Sequence, residues 1–318
     1  MNEFPIPIRV IGPGSQPAED EELQYMPMPR GMNTFRMPSV PDGADAAAVA
    51  AMRAVLSELL AAMGTTTGAP MNALPIGATG EPTGTAMGEA TGNGAPVAGR
   101  RDLAGIAPEA LNLLNQMLGE GEVMVQIGGT PSYRIQESVF PGIWRVLRFG
   151  ADGQLSGDWV EAGGLPQVAL EAAHRTGAAT LRLPDAIPVG AMNAPALLHE
   201  IAAQSRSRQA GDDAHVVNLT LLPLSPADHA LLEEVLPVGP VAIIARGFGN
   251  CRITSTQVRD VWRVQYFNHM NTLILNTIEV VDLPPVAQAA REDLDDSRDR
   301  LAELIDWIDE AYADNATR

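Results

Sequence analysis

The run Ile143-Trp144-Arg145-Val146-Leu147-Arg148-Phe149, apolar except for two arginines, predicts a strand with two unequal faces. Trp144, Val146 and Arg148 fall on one side; Ile143, Arg145, Leu147 and Phe149 fall on the other. Shorter apolar runs at Val123–Ile127, Ser132–Gln136 and Leu155–Val160 predict three more strands. Gly128-Gly129 and Asp152-Gly153 supply turns. Asp102 or Pro108 opens a helix carrying Ala110, Leu111, Leu114 and Leu118, which Gly119 and Gly121 end. Pro166 opens another, with Val168, Ala169, Ala172 and Ala173 behind it. Upstream, Met52, Val55, Leu56, Leu59, Leu60 and Met63 keep helical spacing, so a helix is expected over 44–63 with Asp45 as its cap.

The pattern recurs. Val261-Trp262-Arg263-Val264-Gln265-Tyr266-Phe267 matches the first strand at an offset of 118, without a gap from Pro108/Pro226 to Ala172/Ala290. Twenty of those 65 aligned positions are identical, far above chance, so a duplicated module is expected. The second copy opens at Ser225-Pro226, with strands at Val241–Ala245, Cys251–Thr254, Val261–Phe267 and Thr272–Val280. After Pro284-Pro285 its last helix runs into the acidic stretch 292–296 and a final apolar face of Leu301, Leu304, Ile305, Ile308 and Tyr312. Consecutive strands joined by short turns imply antiparallel pairing with helices packed on the sheet. The fold class is therefore α+β: two tandem homologous α-β-β-β-β-α modules with largely antiparallel sheets, an N-terminal extended arm and a C-terminal helix.

The corresponding organisation is a Pro/Met-rich arm (1–43), a helix (44–63) and a Gly/Thr/Ala/Pro linker (64–98). The first module (99–180) follows, then a connecting strand–helix–strand (181–225) and the second module with its acidic C-terminal helix (226–318). In the connection, strands are expected at Ala179–Leu183 and Val216–Leu222, flanking a helix at Ala194–Gln204. The arm's Ile6, Ile8 and Val10 suit docking on a sheet edge, although its prolines limit pairing.

Charge narrows the functional classes. A net charge of −18 disfavours nucleic acid and anionic membrane as partners. All 21 basic residues are arginine, so no phosphate-loop, Schiff-base or kinase-type lysine exists. One cysteine, Cys251, cannot close an intramolecular disulfide or hold a structural zinc or cluster alone. The histidines lack ligand spacing, and the glycine turns join strands instead of opening helices. No metal or cofactor is expected, and the chain reads as a non-enzyme. No run of about 18 unbroken apolar residues and no basic-then-apolar leader is visible, so a cytoplasmic protein without a membrane span is expected.

What remains is interaction chemistry. Trp and Arg are frequent interface anchors, which makes Trp144, Arg145, Phe149, Trp262, Arg263 and Phe267 candidate partner contacts, with Arg252 and Cys251 beside them. The competing reading is structural: the tryptophans in a core, and the arginines paired with Glu161 and Glu279 on the next strand. Arg252 next to Cys251 could favour a thiolate, although Tyr133 at the matched position argues for packing.

Several stretches resemble the HupH/HyaF family of hydrogenase expression/formation proteins. They are Phe4-Pro5-Ile6-Pro7 with Ile11-Gly12-Pro13-Gly14, Tyr25-Met26-Pro27-Met28-Pro29, and the run from Gln136 through Pro141-Gly142-Ile143-Trp144-Arg145-Val146. Gly249-Asn250-Cys251-Arg252-Ile253, Trp262–Asn268 and Leu273–Asp282 continue the likeness, which spans nearly all the chain outside the linker. The resemblance implies an accessory protein for membrane-bound [NiFe] hydrogenase. It implies a chaperone or scaffold role toward the iron–sulfur small-subunit precursor, which carries a basic twin-arginine export signal, and contact with other hydrogenase accessory proteins. The alternative it leaves open is a thiol-dependent redox-protection or iron–sulfur transfer factor using Cys251.

Overall fold

The computed structural model describes residues 38, 41, 43–65, 99–176, 178, 180–246 and 250–315. The described elements lie in one compact unit, Met37–Arg318. The arm expected over 1–43 and the linker expected over 64–98 fall almost wholly outside the described residues. Helix α1 is Ala46–Thr65, capped by the Asp45 carboxylate, which accepts from the Ala48 N–H at 2.8 Å.

A single ten-stranded sheet organises the chain. Its strands are β1 (Arg100–Asp102), β2 (Val123–Ile127), β3 (Ser132–Glu137), β4 (Ile143–Phe149) and β5 (Leu155–Ala162). Then come β6 (His215–Asn218), β7 (Val238–Ala245), β8 (Asn250–Thr256), β9 (Val261–Phe267) and β10 (Leu273–Val280). The order across the sheet is β1-β5-β4-β3-β2-β7-β8-β9-β10-β6, and every neighbouring pair is antiparallel. The four strands read in each half form meanders of sequential hairpins, and the halves meet where β2 pairs β7.

The register at that seam is informative. Val123 faces Ala245, Val125 faces Ile243 and Ile127 faces Val241. Val125 therefore pairs with the residue 118 positions further on, its own counterpart. A local two-fold relation passes through this pair, and it carries each half's strand pattern onto the other.

Two layers of helices follow from which strand face is apolar. One face carries Val125, Ile135, Trp144, Val146, Ile243, Ile253, Trp262 and Val264, which form a continuous core under α3 (Gln167–Thr176) and the segment Val281–Ala287. The opposite face is covered only toward its ends. At one end Val261, Ile278 and Val217 pack against α4 (Ala194–Ser207) and α5 (Pro226–Val235). At the other, α1 contacts β1 and β5 and packs on α2 (Pro108–Leu118) and α6 (Arg291–Asn315). Although α1 is long and apolar enough to cross a membrane, its Met52, Val55, Leu56 and Leu59 are buried at 1% exposure or less. Arg53 of α1 pairs with Asp309 of α6, outside that apolar stripe.

Three local expectations change. Residues 180–183 join no strand, and Ala178 makes only an isolated bridge to Val258. The strand at Val216–Leu222 stops at Asn218, whose side chain accepts from the Thr220 N–H and turns the chain into a 3-10 turn over Leu219–Leu221. Pro285–Ala287 is likewise a 3-10 turn, so the last helix begins at Arg291 rather than at Pro284-Pro285.

Candidate partner-binding face

The candidate residues divide by strand parity. Trp144 (1% exposed) and Trp262 (2%) lie in the core, each donating its indole N–H to a main-chain carbonyl just past the end of the neighbouring strand. Trp144 Nε1 reaches Gly163 O at 2.8 Å and Trp262 Nε1 reaches Val281 O at 3.0 Å, again 118 positions apart. Neither can serve as an exposed anchor; they are packing residues. Cys251 is also buried, at 4% exposure, against Tyr266. Burial pushes its thiol up to about 11, with Tyr266 opposing and Glu279 reinforcing the shift. The neighbouring Arg252 points to the other face, so the thiolate expected from that adjacency has no basis.

The proposed Arg–Glu pairs do not form, for the same geometric reason. Glu161 stands across from Trp144 and Glu279 across from Trp262, on the face that Arg145 and Arg263 do not occupy. Glu161 accepts from Trp159 Nε1 at 2.7 Å and the Gln167 N–H at 2.9 Å; burial raises its pKa. Glu279 accepts from the Thr277 hydroxyl at 3.0 Å, and burial raises its pKa too.

On the open face the arginines are laid out symmetrically. Arg145 forms a two-pronged pair with Asp158 at 2.7 and 3.0 Å. At the counterpart positions Arg263 meets Asn276 at 3.3 Å, and lies 3.9 Å from Glu233. Arg134 lies over the Phe149 ring at 5.2 Å and Arg252 over Phe267 at 5.8 Å. Among the described residues neither Arg134 nor Arg252 has an ion-pair partner. Both are exposed.

Strand register places the floor between them. One row runs Leu147, Arg134, Gln126, Ala242, Thr254, Arg263; the next runs Arg145, Gln136, Met124, Ile244, Arg252, Gln265. The second row is the first turned about the seam. A hollow of about 140 Å³ opens over Met124, Arg134, Arg145 and Leu147. Arg134, Met124 and Ile244 were not singled out by sequence reasoning. The identity Arg134/Arg252 in the repeat was the signal that could have found the first.

The other buried polar centre is structural. Asp228, fully buried at the start of α5, accepts from the N–H groups of Met192, Asn193, Ala194 and Ser225 at 2.8–2.9 Å. Burial pulls its pKa upward, but these bonds and the Ser225 hydroxyl outweigh it and hold the carboxyl well below its usual range. It ties the start of α4 to the start of α5.

Comparison with known proteins gives one consistent result. The model of the HupH hydrogenase expression protein C-terminal conserved region matches twice, over residues 102–189 and 191–308. The hydrogenase expression/formation protein HoxQ of Cupriavidus necator is 43% identical over 309 residues, covering 97% of this chain and 99% of its own. HupH of Rhodobacter capsulatus is 38% identical, covering 97% and 99%. The hydrogenase-1 operon protein HyaF of Escherichia coli is 35% identical, covering 66% and 73%. A solved structure of the hydrogenase expression protein HupH from Thiobacillus denitrificans is 28% identical, with a TM-score of 0.33. It covers 35% of this chain and 92% of that one.

Proposed function

This chain belongs to the HupH family of hydrogenase expression proteins, and from that premise we propose that it is a non-catalytic chaperone in [NiFe] hydrogenase formation. It holds the iron–sulfur small-subunit precursor in the cytoplasm before twin-arginine export, in contact with other hydrogenase accessory proteins. The two modules derive from one duplicated unit and present a joint surface.

The observation that carries this reading is the open sheet face. Half-buried Met124, Leu147 and Ile244 lie in the middle of a sheet, between two blocks of helices. Apolar area left in such a place is a usual mark of protein contact. The relatives are hydrogenase expression/formation proteins, which supplies the system in which the partner is found. The rival reading, a thiol-dependent factor, draws no support from Cys251: a buried thiol raised to about 11 stays protonated near neutral pH.

Affinity purification of the tagged chain from hydrogenase-producing cells tests the proposal. The small subunit is weighed by mass spectrometry with its signal intact or removed. Signal-bearing precursor in excess over mature subunit is expected, and Cys251→Ser should leave hydrogenase maturation near normal. Absence of small subunit while the precursor accumulates in the cell would overturn the chaperone reading; loss of maturation in Cys251→Ser would revive the thiol one.

A further inference from the structure

We infer that the open face accepts an acidic helical element of the partner's folded body, and not its basic export signal. This deepens the chaperone reading and rests on it for the partner's identity only. The chemistry comes from the face itself. Within a chain whose 39 acidic residues outnumber 21 arginines, this surface collects Arg134, Arg145, Arg252 and Arg263. Among the described residues the acids that meet them are Asp158, paired with Arg145, and Glu233, beside Arg263. Among the described residues Arg134 and Arg252 have no ion-pair partner.

Their setting is that of a carboxylate receptor. A cation–π contact with a phenylalanine ring favours the guanidinium's place over the ring while leaving its N–H groups available for a two-pronged carboxylate contact. The rings, Phe149 and Phe267, sit at matched positions, so both cations are held alike. A twin-arginine signal would bring like charge against them.

Spacing selects the element. Arg134 on β3 and Arg252 on β8 are three strand steps and one residue row apart. With about 4.8 Å per strand step and about 6.8 Å per row, their Cα atoms stand about 16 Å apart. At 1.5 Å per residue, that is about eleven residues, or three turns, of helix. A helix with a carboxylate near each end and apolar residues between them would place the apolar side chains over Met124 and Ile244.

The test measures binding of the full chain to the small-subunit precursor, with and without its signal. Removing the signal should leave affinity within about twofold, and Arg134→Glu/Arg252→Glu should weaken it by about tenfold or more. Circular dichroism checks that this surface variant folds. A second probe is a synthetic Ala/Leu peptide of about fourteen residues with a glutamate near each end, and its lysine counterpart. The glutamate peptide alone should shift the Nε–H signals of Arg134 and Arg252 in an NMR titration. Tight precursor binding by the double variant would overturn the inference and leave the chaperone reading standing. Peptide binding at the arginines without precursor binding would do the reverse. If neither probe engages the arginines, the inference falls; so it does if the chain self-associates through this face, which would make a second copy the occupant.

Discussion

Each buried tryptophan of the repeat fixes a strand to the segment behind it. The indole fills the core and its N–H donates to a main-chain carbonyl of that segment. Trp144→Ala and Trp262→Ala should each lower unfolding free energy by about 3–5 kcal/mol, measured by urea denaturation, and by similar amounts because the contacts match. The sequence made these residues visible as rare aromatics at equal positions, and alternation correctly separated them from Arg145 and Arg263. It could not say which side of the strand faces helices. That depends on α3 crossing the centre of the sheet on the tryptophan side, a long-range choice that no local pattern encodes.

At the level of elements, the chain is tight where each helix passes into its first strand, at Gly121 just before β2 and at Gly239 just inside β7. A Cβ on Gly121 would stand 2.2 Å from the Ser138 carbonyl oxygen, and one on Gly239 would stand 2.6 Å from the Thr256 carbonyl oxygen. Backbone cannot give way as a side-chain tip does, so Gly121→Ala and Gly239→Ala should each cost about 1–3 kcal/mol, read as a drop in thermal midpoint. Gly121 was legible as part of a helix end, and Gly239 as its match in the repeat at the offset of 118. The strand expected at Ala179–Leu183 shows the limit of such reading. Its apolar alternation suits a strand, yet residues 180–183 pair with no neighbour and only Ala178 bridges Val258; alternation marks which residues could share a face, and not whether a partner strand lies in register beside them. Arg100–Asp102 itself carries no apolar pattern; its pairing with β5 and the Arg100 guanidinium 3.9 Å over Trp159 keep it there.

For the whole molecule, buried carboxylates set how stability follows pH. Burial raises Glu137 to about 7 from an ordinary 4.5, against an opposing hydrogen bond from the Gly142 N–H. The folded state then holds a proton that the unfolded chain releases, so this contribution is complete below about pH 4.5 and lost as pH rises toward 7. Glu161 and Glu279 act in the same direction. Asp228 acts in the opposite one: its stabilisation is full above its ordinary 3.8 and disappears as pH falls below that. The urea midpoint should therefore decline between pH 5 and pH 8, and Glu137→Gln should reduce that decline; an unchanged slope in the variant would refute the assignment. The seam at Val125 and Ile243 bears on synthesis as well. Parted from β7, β2 is a bare apolar edge, and the β7 strand of a second molecule fits it as well as its own does. Such an edge invites domain swapping. The covalent connection counters this by holding the two strands at a local concentration on the order of millimolar. Swapped dimers should thus become competitive only where newly made chains are crowded to comparable levels, as in heavy overexpression.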